Sequence, residues 1–271
     1  MLEADRRATR KGSIRMKDLR ASILALAICL AACNGQQGGN AQSSASAAAG
    51  TEAPSSAPAA AFTDIQNSDS AQAINDLAAL GVLDQTSGAF RPDDPISRAD
   101  FVRWLVKANN AIVKEADYHI HTAHGGPATF VDVPASDPDF GYIQGLSNAG
   151  YVIGVDATHF APQKPLTREQ MIYIKACLDE HGDIKTTGGA LDYVRNTFND
   201  ASKMTYKFVG GIYEDRSAMT TTTFARVYGA TKSFSPQQSV TRGEAAVALS
   251  MMRGEWVRSA AAALGRTPPP Q

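Results

Sequence analysis

The 271-residue sequence is poor in cysteine, balanced in charge and without a membrane-length hydrophobic run, and each shortage excludes a class of protein. Three cysteines cannot form the disulfide framework of a chain this long. The largely apolar run at residues 21–32 would span roughly 18 Å as a helix, too short for a bilayer core of about 30 Å. With 26 basic and 27 acidic residues, the chain lacks the positive excess typical of nucleic-acid-binding proteins, and we expect no nucleic-acid partner.

Catalytic and cofactor motifs are also missing. The sequence contains no Gly-x-Ser-x-Gly, no P-loop and no dinucleotide fingerprint. Histidines cluster at His119, His121 and His124, a spacing that could supply transition-metal ligands. No neighbouring Asp or second ligand set accompanies them, and a solvated loop is the alternative interpretation. We therefore predict no catalytic residue, no metal ion and no cofactor, and we expect a protein that is not an enzyme.

The N-terminal segment has the features of a secretory signal. Residues 1–20 carry seven basic and three acidic residues and precede the apolar run, and Met16 is an alternative start. The run ends in Leu30-Ala31-Ala32-Cys33, which resembles the lipobox of bacterial lipoproteins. The resemblance implies cleavage before Cys33, acylation of that residue and attachment to a membrane by lipid. The alternative is an ordinary signal with an incidental cysteine. Removing residues 1–32 leaves 19 basic and 24 acidic residues, a net charge of −5.

A low-complexity segment follows the cysteine. Residues 34–61 include ten Ala, five Ser and four Gly, with no aromatic residue. Such a composition cannot bury enough apolar surface to offset the entropy of ordering the chain. We predict a disordered tether over residues 33–61, and the two prolines and four glycines disfavour the alternative of an Ala-rich helix.

Three related units make up the rest of the chain. Each begins with Phe-x-Asp, and the three phrases, spaced 68 residues apart, start at Phe62, Phe130 and Phe198. A Phe-x-Pro phrase follows 28, 30 and 36 residues later and leads, eight residues after its Phe, to an arginine; these arginines are Arg98, Arg168 and Arg242. Repeats of this kind cannot bury their apolar faces alone and predict one shared core.

Helical periodicity places two helices in each unit. The first helix carries apolar residues on one face and is predicted to stop at Gly81 in unit 1 and at Gly150 in unit 2. In unit 3 we expect an interruption at Gly210-Gly211 and an insertion within residues 217–233. The second helix begins after a good N-cap residue in each unit: Ser97, Thr167 and Thr241. The predicted fold is mainly α, with three helix-loop-helix repeats packed as a bundle.

The recurrent arginine is not explained by helix capping, because a cation near a helix N-terminus opposes the macrodipole. One interpretation is an intramolecular pair with a nearby carboxylate such as Asp64 or Asp132. The other is an anion-binding fork, since guanidinium binds carboxylate or phosphate with two hydrogen bonds. Tyr228, Trp104 and Trp256 could stack on a sugar, although core packing is the better interpretation for Trp104.

The units resemble S-layer homology (SLH) motifs, which carry an Ile/Leu-Thr-Arg-Ala-Glu segment after a Phe-x-Pro turn. The segment stands here as Ile96-Ser-Arg-Ala-Asp100, Leu166-Thr-Arg-Glu-Gln170 and Val240-Thr-Arg-Gly-Glu244. The resemblance implies a pseudo-threefold helical bundle whose grooves bind anionic wall glycans or peptidoglycan-linked polymers, with Arg98, Arg168 and Arg242 as polymer-binding residues. Glu169 and Gly243 depart from the motif's alanine, which makes the first groove, with Arg98, the strongest candidate.

The predicted organisation follows from these features. Its segments are the signal peptide (1–32), the lipidated Cys33 with the tether (33–61), repeat 1 (62–113), a His-containing link (114–129), repeat 2 (130–184), a second link (185–197), a divergent repeat 3 (198–253), and a C-terminal helix, Gly254–Leu264, with a frayed tail to residue 271. No effector domain remains for the repeats to anchor. We expect a cell-envelope lipoprotein that links membrane to wall, in the outer membrane of a two-membrane bacterium and otherwise on the outer face of the cytoplasmic membrane. The alternative is an envelope scaffold that binds another protein and whose arginines are structural.

Overall fold

The structure is a computed structural model that describes residues 61–151, 153–218, 222–253 and 257–267. These residues belong to one compact unit of the chain, Ala53–Gln271. The predicted signal peptide, Cys33, the tether up to residue 60, Trp256 and the tail from residue 268 lie outside the described residues. Within the described residues, no helix combines the length and apolar character needed to cross a membrane.

The described residues are mainly helical, which confirms the predicted fold class. Their helices are α1 (Ala71–Ala79), α2 (Arg98–Ile112), α3 (Phe140–Asn148), α4 (Arg168–Asp179), α5 (Gly188–Thr197), α6 (Tyr206–Ser217), α7 (Thr223–Tyr228), α8 (Arg242–Leu249) and α9 (Ala260–Ala263). Two short strand pairs accompany them: β1 (Ala61–Phe62) lies parallel to β2 (Ser87–Gly88), and β3 (Met251–Met252) lies antiparallel to β4 (Arg258–Ser259).

Glycine ends the first helix in units 1 and 2, as predicted. Gly81 and Gly150 adopt φ values of +70° and +91°, which favour glycine because it has no Cβ. The N–H of the residue after each glycine returns to a carbonyl of the last helical turn, Val82 to Leu77 at 2.9 Å and Tyr151 to Leu146 at 3.1 Å. These bonds satisfy carbonyls that a helix end leaves unpaired.

The Phe-x-Asp and Phe-x-Pro phrases form one structure in each unit. The carboxylate of Asp64 accepts hydrogen bonds from the backbone N–H groups of Phe90 and Arg91, at 2.8 and 2.7 Å. Asp132 and Asp200 make the equivalent pairs of bonds in units 2 and 3. The middle residue of each Phe-x-Pro is left-handed, and these residues are Arg91 (φ +60°), Ala161 (φ +60°) and Ser235 (φ +55°). The aspartate therefore stabilises a backbone conformation that non-glycine residues rarely adopt.

A closed ring of hydrogen bonds joins the three units. The Ile96 N–H donates to Val240 O at 3.0 Å, the Val240 N–H to Leu166 O at 2.8 Å, and the Leu166 N–H to Ile96 O at 2.9 Å. Helix packing also closes a ring, because α2 contacts α3, α4 contacts α6, and α8 contacts α1. Each unit thus lays its second helix against the first helix of the next, and unit 3 returns to unit 1.

The predicted interruption in unit 3 is wrong. Helix α6 runs without a break through Gly210 and Gly211 and packs closely against α4. A Cβ at Gly211 would lie 2.9 Å from the Tyr173 Cα, and one at Gly210 would lie 2.8 Å from Lys185 O. The two glycines therefore permit close approach of two backbones. The extra length of unit 3 instead contains α7, inside the range expected for the insertion.

The predicted helix over residues 254–264 is also wrong in extent. Only Ala260–Ala263 is helical there; residues 258–259 form β4, and residues 254–256 lie outside the described part. Ser259 starts α9, because its hydroxyl accepts from the Ala262 N–H at 3.1 Å. Helix α9 packs against α1 and α2, and Arg266 forms an ion pair with Asp76. The C-terminal segment is thereby attached to unit 1.

Candidate polymer-binding site

Each recurrent arginine is the first residue of a second helix and lies at a junction between units. The caps that precede them hold the helix starts: Ser97 Oγ accepts from the Asp100 N–H at 3.0 Å, and Thr241 with Glu244 forms a capping box. In unit 2, the Gln170 side chain accepts from the Thr167 N–H at 3.2 Å. The backbone N–H of each arginine donates to the next unit's turn, at Lys164 O, Gln238 O and Asp94 O for Arg98, Arg168 and Arg242.

Arg98 is buried at the junction of units 1 and 2. It is 2% exposed, and its guanidinium donates from Nε to Phe160 O at 2.8 Å and from Nη2 to Ile153 O at 2.6 Å. The guanidinium also lies 4.7 Å from the centre of the Phe160 ring. Burial lowers the pKa of Arg98 to about 10, although the charge of Asp132 opposes the shift. Two internal carbonyl oxygens therefore accept hydrogen bonds from the buried guanidinium of Arg98.

Arg242 occupies the equivalent place between units 3 and 1 and has a less committed guanidinium. Its Nε donates to Phe90 O at 2.9 Å, and its Cζ lies 4.7 and 4.8 Å from the ring centres of Phe90 and Trp104, which stack on each other. No described residue accepts a hydrogen bond from its two terminal nitrogens. Burial lowers the pKa of Arg242, and the Asp100 carboxylate opposes this. Trp104 is fully buried, so it supports the arginine from the core and does not stack on a ligand.

Arg168 has different surroundings because of the insertion in unit 3. Tyr228, the last residue of α7, lies under the guanidinium with 3.9 Å between the ring centre and Cζ. Arg168 Nη2 donates to Glu244 at 3.3 Å, and its Nε has no partner in the described residues. The bond to the next Phe carbonyl, which Arg98 and Arg242 both make, is replaced by these contacts. From the sequence, Tyr228 was proposed only as a residue that could stack on a sugar, and its contact with Arg168 was not predicted.

The residues that depart from the SLH alanine have structural roles at the junctions. Glu169 is 1% exposed and accepts hydrogen bonds from the Thr205 N–H at 2.8 Å and hydroxyl at 2.7 Å. It therefore caps α6 of the next unit. Gly243 lies against the start of α1, where a Cβ would be 2.7 Å from Ser70 Oγ. The side chain at this position thus sets how closely one unit approaches the next.

A cavity of about 640 Å³ opens at the junction of units 3 and 1, beside Gly243. Its lining is polar, and carboxylates outnumber cations there, with Asp64, Asp69, Asp93 and Glu244 against Arg226. Hydroxyl and amide groups of Ser68 and Asn67 also face it. A concave polar surface of this size suits a saccharide, which carries many hydroxyl groups.

The aspartates proposed as partners of the arginines bind backbone groups instead. The Arg91 N–H is the main group that holds the pKa of Asp64 below 3.8. At Asp132 and Asp200, burial would raise the pKa, but the bonds from Phe160, Ala161, Phe234 and Ser235 outweigh it and lower the pKa. Among the described residues, none of Arg98, Arg168 and Arg242 forms an ion pair with these carboxylates within 4.0 Å. The role of these aspartates in the Phe-x-Pro turn was not predicted from the sequence. The signal that could have indicated it is that a Phe-x-Asp phrase precedes a Phe-x-Pro phrase in every unit.

The histidine cluster does not form a metal site in the described residues. His119 Nε2 lies 2.8 Å from Val113 O, and no described group of three His, Cys, Asp or Glu side chains could hold a metal ion.

Cys177 is buried, and burial raises the pKa of its thiol to about 11.

The described residues form a helical repeat protein with an arginine at each junction between units. Comparison with known families specifies this class further. The family model of the S-layer homology domain matches residues 61–102 and 129–172. The two matched segments lie in units 1 and 2, and SLH domains generally mediate cell-wall binding at the cell envelope. No curated protein matches the chain.

Proposed function

We propose that this protein is a non-catalytic envelope lipoprotein that links a membrane to the cell wall. In this proposal, Cys33 carries the lipid, residues 33–61 form the tether, and the folded units bind an anionic wall glycan or a peptidoglycan-linked polymer. The membrane is the outer membrane in a two-membrane bacterium, and otherwise the cytoplasmic membrane, on its outer face.

The observation that carries the binding function is the arginine at each unit junction, in a chain with two SLH domains. Unit 3 acts as a third, divergent SLH repeat in a pseudo-threefold bundle. The closed ring through Ile96, Leu166 and Val240 supports this, because three equivalent bonds relate the units cyclically. Arg242 is the principal polymer contact, since its terminal nitrogens have no acceptor in the described residues.

Co-sedimentation with isolated wall sacculi tests the binding function. Full-length protein in mild detergent is expected to pellet with sacculi, and high salt should weaken pelleting because it screens charge. Arg242→Ala should reduce pelleting more than Arg195→Ala, which removes the same charge from an α5 side chain that is 61% exposed. Equal pelleting of wild type and a triple variant lacking Arg98, Arg168 and Arg242 would refute the arginine mechanism.

The lipid anchor is tested separately. Cells fed labelled palmitate should yield labelled protein, and Cys33→Ser should remove the label and release the protein from membranes. Labelling that persists in Cys33→Ser would show that another residue carries the lipid.

One observation favours a second function, an envelope scaffold with structural arginines that binds another protein. Arg98 is 2% exposed and donates to two internal carbonyl groups, as a structural residue would. If arginine variants lose stability and keep wall binding, the scaffold is favoured.

A further inference from the structure

A second, smaller cavity lies apart from the three arginines, between the start of α6 and the segment that joins α4 to α5. Its volume is about 250 Å³, and its polar lining consists of Tyr173, Asp183, Lys185, Thr186, Tyr206 and Lys207. This is below the roughly 300–1,000 Å³ of pockets that enclose drug-sized ligands. The cavity therefore suits one sugar ring and not an oligosaccharide.

Of the two lysines in this cavity, Lys207 is the one that forms no ion pair with a described carboxylate. Its ammonium donates one hydrogen bond, to Gly154 O at 2.7 Å, and no described carboxylate lies within ion-pair distance. The preceding carbonyl, Ile153 O, accepts from Arg98. Two neighbouring cations are thus held on consecutive carbonyl groups, one buried and one facing the cavity. Burial, and then the charge of Arg98, lower the pKa of Lys207, and the charges of Asp183 and Asp156 oppose the shift.

The second lysine and its partner leave the cavity with excess positive charge. Lys185 is 81% exposed and pairs with Asp183, whose carboxylate also accepts from the Tyr173 hydroxyl at 2.9 Å. Lys185 and Lys207 are therefore the two cations of the cavity and Asp183 is its carboxylate. The Asp183 carboxylate already accepts hydrogen bonds from Lys185 and Tyr173.

Tyr206 supplies an exposed aromatic surface beside these cations. It is 62% exposed, although α6 buries most of its other large residues. The Thr186 hydroxyl donates to Tyr206 O at 2.7 Å, which fixes the start of α6 against the joining segment. The Tyr206 hydroxyl donates to Thr186 O at 3.4 Å, and an aromatic ring held in this way can bind the apolar face of a sugar at little entropic cost.

We propose that this cavity binds a single anionic sugar residue, with Lys207 and Lys185 on its carboxylate or phosphate group and Tyr206 against its ring. The inference rests on the proposed wall-binding function and names a subsite for the anionic substituent whose lining contains none of the three arginines. The shared chemistry is a hexose bearing one negative group, and a uronic acid and a sugar phosphate are its two sources.

Ligand-observed NMR titration of the full-length protein tests the subsite. Glucuronate, glucose 6-phosphate and glucose serve as probes, and the two anionic probes are expected to bind while glucose does not. The stronger of the two identifies the source of the negative group. Lys207→Gln should weaken binding of the stronger probe at least about tenfold, because it removes a charge-assisted hydrogen bond. Lys203→Gln is the matched control, since Lys203 is an exposed lysine four residues earlier, outside the cavity.

Two further variants keep the test decisive if Lys207→Gln folds poorly. Lys207→Arg retains the charge and should restore most of the affinity. Lys185→Gln alters an exposed side chain and should weaken binding about threefold. Glucose binding as tight as glucuronate binding, or equal affinities of the Lys207→Gln and Lys203→Gln proteins, would overturn the proposal.

Sacculus pelleting of the same samples separates the subsite from the wall-binding function. Loss of pelleting with intact glucuronate binding contradicts the wall-binding function alone. Pelleting without any binding of the anionic probes contradicts the subsite alone.

Discussion

Replacing Arg98 by alanine distinguishes a structural arginine from a ligand-binding one. The change removes the donors to Phe160 O and Ile153 O, which lie 2.8 and 2.6 Å from the guanidinium nitrogens. A buried carbonyl left without a donor costs about 1–3 kcal/mol. Two such groups give roughly 2–6 kcal/mol, and relief from burying a cation offsets part of it. We expect Arg98→Ala to lower the free energy of unfolding by about 3 kcal/mol.

Two other variants calibrate this value. Arg242→Ala removes one bond to a carbonyl, Phe90 O, from a less buried site, and should cost only about 1 kcal/mol. Arg98→Lys keeps the charge, but a single ammonium cannot reproduce a fork that spans two carbonyl groups, so we expect an intermediate loss.

Guanidinium-induced unfolding of the full-length proteins measures these differences. Fluorescence of Trp104 is a suitable signal, because this side chain is fully buried in the folded protein. Wall pelleting is then measured well below each variant's unfolding midpoint. If Arg98→Ala unfolds within about 0.5 kcal/mol of wild type and loses pelleting, Arg98 is a ligand-binding residue and its structural role is refuted.

Two further predictions concern helix packing and pH. Gly211→Ala should destabilise the protein by about 1–3 kcal/mol, because the new Cβ would lie 2.8 Å from a Tyr173 ring carbon. Gly189→Ala in α5 is the control and should not destabilise the protein, since its new Cβ meets no atom within 4 Å. Thermal unfolding of both variants measures the difference, and equal melting temperatures would contradict the close approach of α4 and α6. The lowered pKa values of Asp64, Asp132 and Asp200 predict stability that is present above pH 3.8 and is lost as the pH falls through the folded-state values. Asp132→Asn with Asp200→Asn should flatten the acid limb of a stability–pH curve, and an unchanged limb would show that other carboxylates control acid unfolding.

Several features could be predicted from the sequence because they depend on local geometry. Helix ends at Gly81 and Gly150 follow from the left-handed conformation that glycine permits, and the start of α8 follows from the capping box of Thr241. The repeated phrases in units 1 and 2 also predicted the SLH domains that the family model matches. Lipidation of Cys33 and the tether stay predictions, since they lie outside the described residues.

Other features depend on atoms that are distant in the sequence. Gly210-Gly211 was predicted to break a helix, since glycine propensity is the only local signal. Gly211 instead lies against Tyr173 of α4 and Gly210 against Lys185, so close packing requires both side chains to be absent. Likewise, the environments of Arg98, Arg168 and Arg242 differ although their motifs are alike. The next unit decides whether each guanidinium meets two carbonyl groups, a tyrosine, or one carbonyl group and two aromatic rings.

The sequence by itself determined the three units, their two-helix pattern and the position of one arginine in each, because periodicity, caps and turns are short-range properties. Only the tertiary structure decided that backbone hydrogen bonds close the ring of units, that aspartates support the Phe-x-Pro turns, and that Arg98 is buried while the terminal nitrogens of Arg242 have no acceptor among the described residues. It also brought Lys207 beside the residues that follow α4. Burial and hydrogen-bond partners are properties of the packed chain, so residues with the same motif acquire different chemistry.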